Sequence, residues 1–366
     1  MSKRYRIKKG KDACMDNRIV TVDPNYKFNT DFYREDMRFY DIWQEPFHVH
    51  GLLRDEKGFC RMPDEIARKV NTGVHQLNRN TAGGRIRFAT DSAYVGLRCR
   101  MAGITRVPHM AMTGSCGFDL SADGVYYRTF LPPLDLESGY DSRIDFPEKK
   151  MREIEIRFPL YSDVTEVHIA LQDSARVCKA HPYQNQKPIV FYGSSITQGG
   201  CVCRPGLSYP AILSAILDSD YRNLGFSGSA LGEEVMAEYL AALEMSVFVL
   251  DYDHNVPDAQ YLEETHERFF QIIRSKYPNL PILLISRPDF RFWEGCEERR
   301  AVIEKTYRKA RAKGDPLVWY LDGETLWGDT DWDLCSVDGI HPNDLGHYRM
   351  AQTIAPVLRK ILKGQR

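Results

Sequence analysis

Pro188-Ile-Val-Phe-Tyr192 runs directly into Gly193-Ser194-Ser195-Ile196-Thr197-Gln198-Gly199. The apolar run is short, rich in β-branched and aromatic residues, and bounded by Pro and Gly, which reads as a buried strand closing in a tight turn. A serine placed just past the end of such a strand, among glycines, has an exposed hydroxyl and leaves room for a substrate to approach the backbone. Serine is a weak nucleophile until a neighbouring base takes its proton. The segment therefore raises the question of where a base stands, and it also fits an ordinary structural or phosphate-cradling turn.

Downstream, the same rhythm repeats. Helical pattern follows at Tyr209 to Leu217, then an apolar run at Met245 to Leu250 ending at Asp251. Residues 258–276 read as a helix, Pro281 to Ile285 and Leu317 to Leu321 as strands, and Asp344 to Lys363 as a closing helix. Buried strands alternating with helices predict an α/β domain whose parallel sheet is covered on both faces. Such sheets bind ligands at the carboxyl ends of their strands.

Upstream, the period changes from helix-and-strand to two. Gly96 to Met101, Glu153 to Phe158 and Glu166 to Leu171 alternate apolar with polar residues, and Ala82-Gly83-Gly84, Ala122-Asp123-Gly124 and Pro132-Pro133 punctuate them. This predicts an all-β sandwich, with Asp64 to Val70 as the exceptional helix. The segment Lys179 to Pro188, polar and with two prolines, is the expected linker. The division is then an N-terminal arm over 1–36, a sandwich over 37–180 and an α/β domain over 186–366.

Composition bounds the function. The 366 residues are 43% hydrophobic and carry 49 basic against 50 acidic side chains. A net charge of −1 lacks the basic surplus that duplex nucleic acid demands, so no nucleic-acid partner is expected. The basic run Lys3 to Lys11 is broken by Asp12, Asp16 and Arg18 before any apolar stretch of about 7–15 residues, so it reads as a solvated arm and not a secretory signal. No run approaches the ~18 apolar residues of a membrane span, and no membrane partner is expected. Nine scattered cysteines suit free thiols in a reducing, cytoplasmic setting, and Cys201-Val202-Cys203 lacks a second ligand pair at zinc spacing.

Three more segments bear chemistry. Asn223-Leu-Gly-Phe-Ser-Gly228 follows a strand-like Tyr221-Arg222, where a glycine N–H can face an oxyanion. Asp251-Tyr-Asp253-His254-Asn255 closes the next strand, and the Asn255 amide is a suitable oxyanion donor. Asp251, Asp253 and His254 also invite a metal reading, but neighbours on extended chain alternate faces. Asp338-Gly-Ile-His341 places a carboxylate three residues before an imidazole it can orient.

In conjunction the four segments resemble the SGNH hydrolases, also called GDSL esterases. That family carries a Gly-Asp-Ser block, a glycine, an asparagine and a late Asp-x-x-His, here matched in order by Ser195, Gly228, Asn255, and Asp338 with His341. Ser194 stands where the name-motif has Asp, and Asp253-His254-Asn255 replaces Gly-Gly-Asn. Gly117-Phe118-Asp119-Leu120-Ser121 resembles the Gly-x-Asp-Leu-Tyr motif of a β-sandwich module that precedes some SGNH domains, with Ser121 in place of Tyr.

The resemblance implies a three-layer α/β SGNH domain with a parallel sheet behind a sandwich. It implies a Ser195–His341–Asp338 triad with an oxyanion hole from the N–H groups of Ser195 and Gly228 and the Asn255 side chain, and no metal or other cofactor. A small acyl ester, acetyl on a carbohydrate or related small molecule, is the expected substrate by analogy. An acyltransferase sharing the acyl-enzyme, or a carbohydrate-binding protein with a decayed site, are the alternatives. Trp43, Phe47, Tyr126 and Tyr127 are candidates for sugar stacking, although isolated aromatics more often belong to a core. His48 and His50 share one face of an extended segment, where hydrogen-bonded strand histidines are the plainer reading. Arg287 stands where substrate-contacting loops emerge, and a surface salt bridge is its plainer reading. Oligomeric state is not legible.

Overall fold

Ile189 and Phe191 point to one side of the strand Asn185–Gly193 and Val190 and Tyr192 to the other, and all four are fully buried. Only a strand covered on both faces has this pattern. In the computed structural model, which describes residues 22–23 and 31–364, this strand lies inside a five-stranded parallel sheet. Its order is Ser219–Gly225, Asn185–Gly193, Val247–Asp251, Ile282–Ile285 and Val318–Leu321. The expected arm over 1–36, with its basic run and Cys14, falls mostly outside the described residues.

Two apolar cores flank the sheet. On one face, Ile189, Phe191, Val247 and Val249 pack beneath Tyr209–Leu217 and the long helix Asp344–Lys363 through Leu213, Met350, Ile354 and Leu358. On the other, Val190, Tyr192, Phe248 and Leu250 pack beneath Glu234–Leu240, Ala259–Lys276 and Cys296–Ala312. The second and third strands in chain order lie on opposite sides of the first. Order therefore reverses beside Asn185–Gly193, and the carboxyl ends of 185–193 and 247–251 flank the crevice where such sheets hold ligands.

Besides a two-stranded sheet, Leu53–Asp55 paired with Gly58–Cys60, the upstream half forms two large antiparallel sheets. One runs Met37–Asp41, Ser162–Gln172, Tyr94–Ile104, Asp141–Asp145. The other runs Val177–Cys178, Arg85–Thr90, Arg152–Arg157, Phe118–Ala122, Val125–Phe130, with His48–His50 beside Arg85–Thr90. Phe88, Leu97, Phe118, Ile156 and Ile169 fill the space between the sheets. Helical structure here exceeds the single expected segment: Thr72–Leu77 and Met112–Ser115 follow Asp64–Val70. Met62, Ala67 and Val74 join the core of the α/β half, so Asp64–Val70 and Thr72–Leu77 are anchored across the seam.

That seam is rich in charge. Arg85 is fully buried, pairs with Asp220 and lies 4.0 Å over the ring of Tyr221. Asp119, the acidic residue of the Gly-x-Asp-Leu motif, is buried. It accepts from Arg204 Nη1 at 2.9 Å and the Gly206 N–H at 2.7 Å, both across the seam. Ser121, at the departed motif position, accepts from Arg157 at 2.8 Å. Residues Phe32–Arg366 accordingly form one compact unit.

Candidate active site

Ser195 is the first residue of the short helix Ser195–Gln198, which begins as soon as the strand 185–193 ends. Ser194 caps that helix, its hydroxyl accepting the Ile196 N–H at 3.1 Å. Serine and aspartate are comparable caps, so a serine at the motif's Asp position can still start this helix. The turn is tight enough that a side chain on Gly193 would lie 2.2 Å from the Asp251 carbonyl oxygen.

Ser195 Oγ lies 3.0 Å from His341 Nε2, and His341 Nδ1 lies 2.7 Å from Asp338 Oδ2. The other carboxylate oxygen accepts the N–H groups of His341 at 2.7 Å and Ile340 at 2.9 Å. Burial pushes the Asp338 carboxyl up, but the hydrogen bonds from His341 and Ile340 outweigh it and hold the group below its ordinary value. A carboxylate fixed in this way keeps the proton on Nδ1 and the lone pair of Nε2 toward the serine. The three residues come from two regions 146 positions apart and meet as one hydrogen-bonded chain.

Gly228 adopts φ +61°, a left-handed backbone that favours glycine, although a side chain there would meet nothing within 4 Å. Among the described residues, the N–H groups of Ser195 and Gly228 have no hydrogen-bond acceptor. Asn255 donates one amide hydrogen to the Phe226 carbonyl at 2.9 Å, leaving the other.

The expected polar cluster after strand 247–251 divides as chain alternation requires. Asp251 faces inward, accepting from Thr197 Oγ1 at 3.1 Å and Tyr209 OH at 3.0 Å. Burial and the nearby charge of Asp253 push its carboxyl well above the usual range. Asp253 accepts the Arg287 N–H at 3.2 Å through Oδ2, while its buried Oδ1 is unpartnered, and burial raises its pKa.

Arg287 is 8% exposed and bonds Asp289 through Nε at 2.7 Å and Nη2 at 2.5 Å, so it belongs to a buried network and not to a surface salt bridge. His254 Nε2 lies 3.1 Å from Asp289 Oδ2. Burial raises the Asp289 carboxyl, but Arg287 and His254 prevail and set it at about 2.

Several supports carried no sequence signal. Gln198 is fully buried, donates to Asn80 Oδ1 at 3.0 Å and the Leu160 carbonyl at 3.1 Å, and accepts the Ser227 N–H at 3.0 Å. It therefore ties the serine helix to both the sandwich and the Gly228 loop. Asn223 donates to the Thr197 carbonyl at 2.7 Å. Arg61, 1% exposed, donates to the carbonyls of Gly225 and Leu77 and lies 4.2 Å over Phe226. With no salt bridge to it among the described residues, burial outweighs the charge of Asp163 and lowers its pKa to about 9.

Of the other candidates, Phe47 is core, Trp43 stacks on Phe59, and Tyr126 is exposed beneath Arg204. His48 and His50 do share a face, with ring centres 4.2 Å apart, and His50 bonds Asp220 at 3.1 Å. No described helix is long and apolar enough to cross a membrane.

Residues 186–359 match the GDSL-like lipase/acylhydrolase family, and residues 37–177 match the N-terminus of SGNH_hydro-type esterases. The GDSL lipase Rv0518 of Mycobacterium tuberculosis is 29% identical over a 116-residue alignment that covers 29% of this chain. The chain spans 45% of the length of that relative. A crystallised GDSL-like lipase of Bacteroides ovatus is 27% identical with a TM-score of 0.80, over 89% of this chain and 98% of that one. The salicylyl-acyltransferase SsfX3 of a tetracycline biosynthetic pathway shares the fold at 21% identity and TM-score 0.74, over 91% and 98% of the two chains. A family two carbohydrate esterase of Clostridium thermocellum, solved with cellohexaose, does so at 15% and 0.61, over 87% and 99%. An α/β sheet with the serine at its crevice, an antiparallel sandwich before it and family matches to both halves lead to one conclusion: the chain is an enzyme of the SGNH, or GDSL-like lipase/acylhydrolase, family carrying the N-terminal module of SGNH-type esterases.

Proposed function

We propose that this enzyme is a serine esterase that removes small acyl groups, acetyl foremost, from a carbohydrate or related small molecule. The observation that carries the reading is the unbroken chain from Ser195 Oγ through His341 to Asp338. Ser195 attacks the ester carbonyl while His341 Nε2 takes its proton. The N–H groups of Ser195 and Gly228 and the remaining Asn255 amide hydrogen hold the tetrahedral oxyanion. Collapse expels the alcohol, protonated by His341, and leaves an acyl-serine. Water, activated by the same imidazole, then releases the acid and restores Ser195.

The carbohydrate half of the proposal rests on fold likeness to carbohydrate esterases, which is analogy. Arg287 is proposed to face substrate through Nη1, which makes no hydrogen bond to the described residues. The catalytic part is proposed to be residues 186–366, with 37–180 as a module that braces the crevice. The cysteines described are free, which supports a reducing, cytoplasmic setting.

Hydrolysis of acetylated mono- and oligosaccharides beside short-chain aryl esters, with and without an added acceptor alcohol, tests the assignment. Acid release insensitive to the alcohol is the expected result. Predominant ester formation with the alcohol would make the protein an acyltransferase, and no turnover on any ester would reject both.

A further inference from the structure

His341 has neighbours the triad does not use. One nitrogen of His109, on the segment between the strand ending at Ile104 and the helix beginning at Met112, the thiol of Cys201, and one nitrogen of His341 all lie within 4.8 Å of one another. The rings of His109 and His341 are 5.8 Å apart, centre to centre. Cys201 has φ +71°, a left-handed backbone unusual for a residue with a side chain. Cys201 follows Gly200, whose N–H is held by the Ser195 carbonyl at 2.8 Å. The thiol is thus delivered to the serine's side of the crevice by the same turn that forms the nucleophile helix.

We infer that His109, Cys201 and His341 form a binding site for a soft divalent cation, zinc foremost, whose occupation switches the esterase off. Two imidazoles and a thiolate are a zinc donor set, and three protein ligands leave a fourth position for water. His341 Nδ1 is committed to Asp338, so the metal takes Nε2. A carboxylate behind a ligating imidazole is the usual outer support of a zinc ligand. In a tetrahedral site with bonds of about 2.0–2.3 Å, ligand atoms stand roughly 3.3–3.7 Å apart. The trio must therefore draw in by about 1 Å, and exposed His109 is the member free to move. Binding forms the zinc–sulfur bond as the Cys201 thiol gives up its proton to solvent. With zinc on Nε2, no lone pair is left to take the proton of Ser195.

The inhibitory half rests on the proposed role of His341, whereas the metal site itself does not, and the test separates them. Cobalt(II) added to the full-length protein reports thiolate ligation by charge-transfer absorption, and competition of zinc with a chromophoric chelator gives stoichiometry. One equivalent, with the charge-transfer band lost in Cys201→Ser, is expected. Ester hydrolysis should fall with the same zinc concentration dependence. Cys201→Ser and His109→Ala, each compared with its own metal-free rate, should need at least about tenfold more zinc. Ser195→Ala should keep the cobalt spectrum while losing hydrolysis. An absent band, or one that persists in Cys201→Ser, overturns the site. Zinc that binds without slowing turnover, or inhibits both variants as it does the wild type, overturns the switch. Were the protein inactive on every ester, the cobalt spectrum would still decide the site.

Discussion

Asp338→Asn exchanges one oxygen for an amide and tests how far the imidazole depends on its carboxylate. Asparagine can still accept the N–H groups of Ile340 and His341 that Asp338 Oδ1 now accepts at 2.9 and 2.7 Å. The loop should therefore persist. What changes is the partner of His341 Nδ1. An amide hydrogen facing that nitrogen favours the tautomer with its proton on Nε2, which cannot accept from Ser195. The charge that steadies the imidazolium is also lost. That attraction is about 4 kcal/mol at 4 Å with an effective dielectric of about 20, and about 1 kcal/mol in water. Side-chain exposures of 32% for Asp338 and 18% for His341 place the site between those limits, and nearer the first. Taking about 3 kcal/mol, and tenfold for each 1.36 kcal/mol, kcat should fall by between about 10² and 10³. Steady-state hydrolysis of an aryl acetate, with circular dichroism as a check on folding, measures this. A folded Asp338→Asn variant within about threefold of the wild-type kcat would refute the role argued for the carboxylate.

Three further outcomes follow from the supports of the site. Gly225→Ala places a carbon 2.3 Å from the Gln198 backbone nitrogen, so the serine helix must shift. We expect a loss of about 3 kcal/mol or more in denaturant unfolding. Arg61→Met removes the donor to the Gly225 carbonyl and one of the two donors to the Leu77 carbonyl, which keeps the Asn80 N–H, but it also removes a buried cation that makes no salt bridge among the described residues. A net loss of about 2 kcal/mol is expected, read as a lowered melting temperature. Burial lowers the buried imidazoles of His266 and His347 to about 3 and about 4, so below pH 6.5 the unfolded chain takes up protons that the folded chain refuses. Stability should therefore fall as pH drops from about 6.5 toward 4, by up to about 1.4 kcal/mol per pH unit for each histidine. Asp251 and Asp253, raised by burial, act in the opposite sense as pH rises above about 4. His266→Asn should flatten the acid limb in melts between pH 5 and 7.

What the sequence disclosed follows from the range over which each signal acts. The closing helix reads correctly from Asp344 to Lys363 because its apolar stripe, Met350, Ile354, Leu358 and Ile361, repeats at helical spacing. Cys296–Ala312 is not legible because only Cys296, Ile303, Thr306 and Ala310 are buried along its 17 residues, too sparse a stripe to stand out. Ser195, Asp338 and His341 are legible because a resemblance ties their blocks together, and Asp338–His341 is itself local. Gln198, Arg61 and Asn223 are not, since their meaning lies in partners 16 to 164 residues away. His109 shows the same limit: nothing near it in sequence hints that it reaches the ring of His341.

The central claim is that Ser195 is the nucleophile. The full-length protein treated with a serine-directed fluorophosphonate, digested and analysed by mass spectrometry, tests it most directly. We predict a single adduct on Ser195, prevented by Ser195→Ala and by prior exposure to an ester substrate, and strongly slowed in His341→Ala. Ser194, buried and committed to capping Ile196, should remain unlabelled. An adduct on Ser194 or elsewhere, with Ser195→Ala retaining most of its ester turnover, would contradict the mechanism.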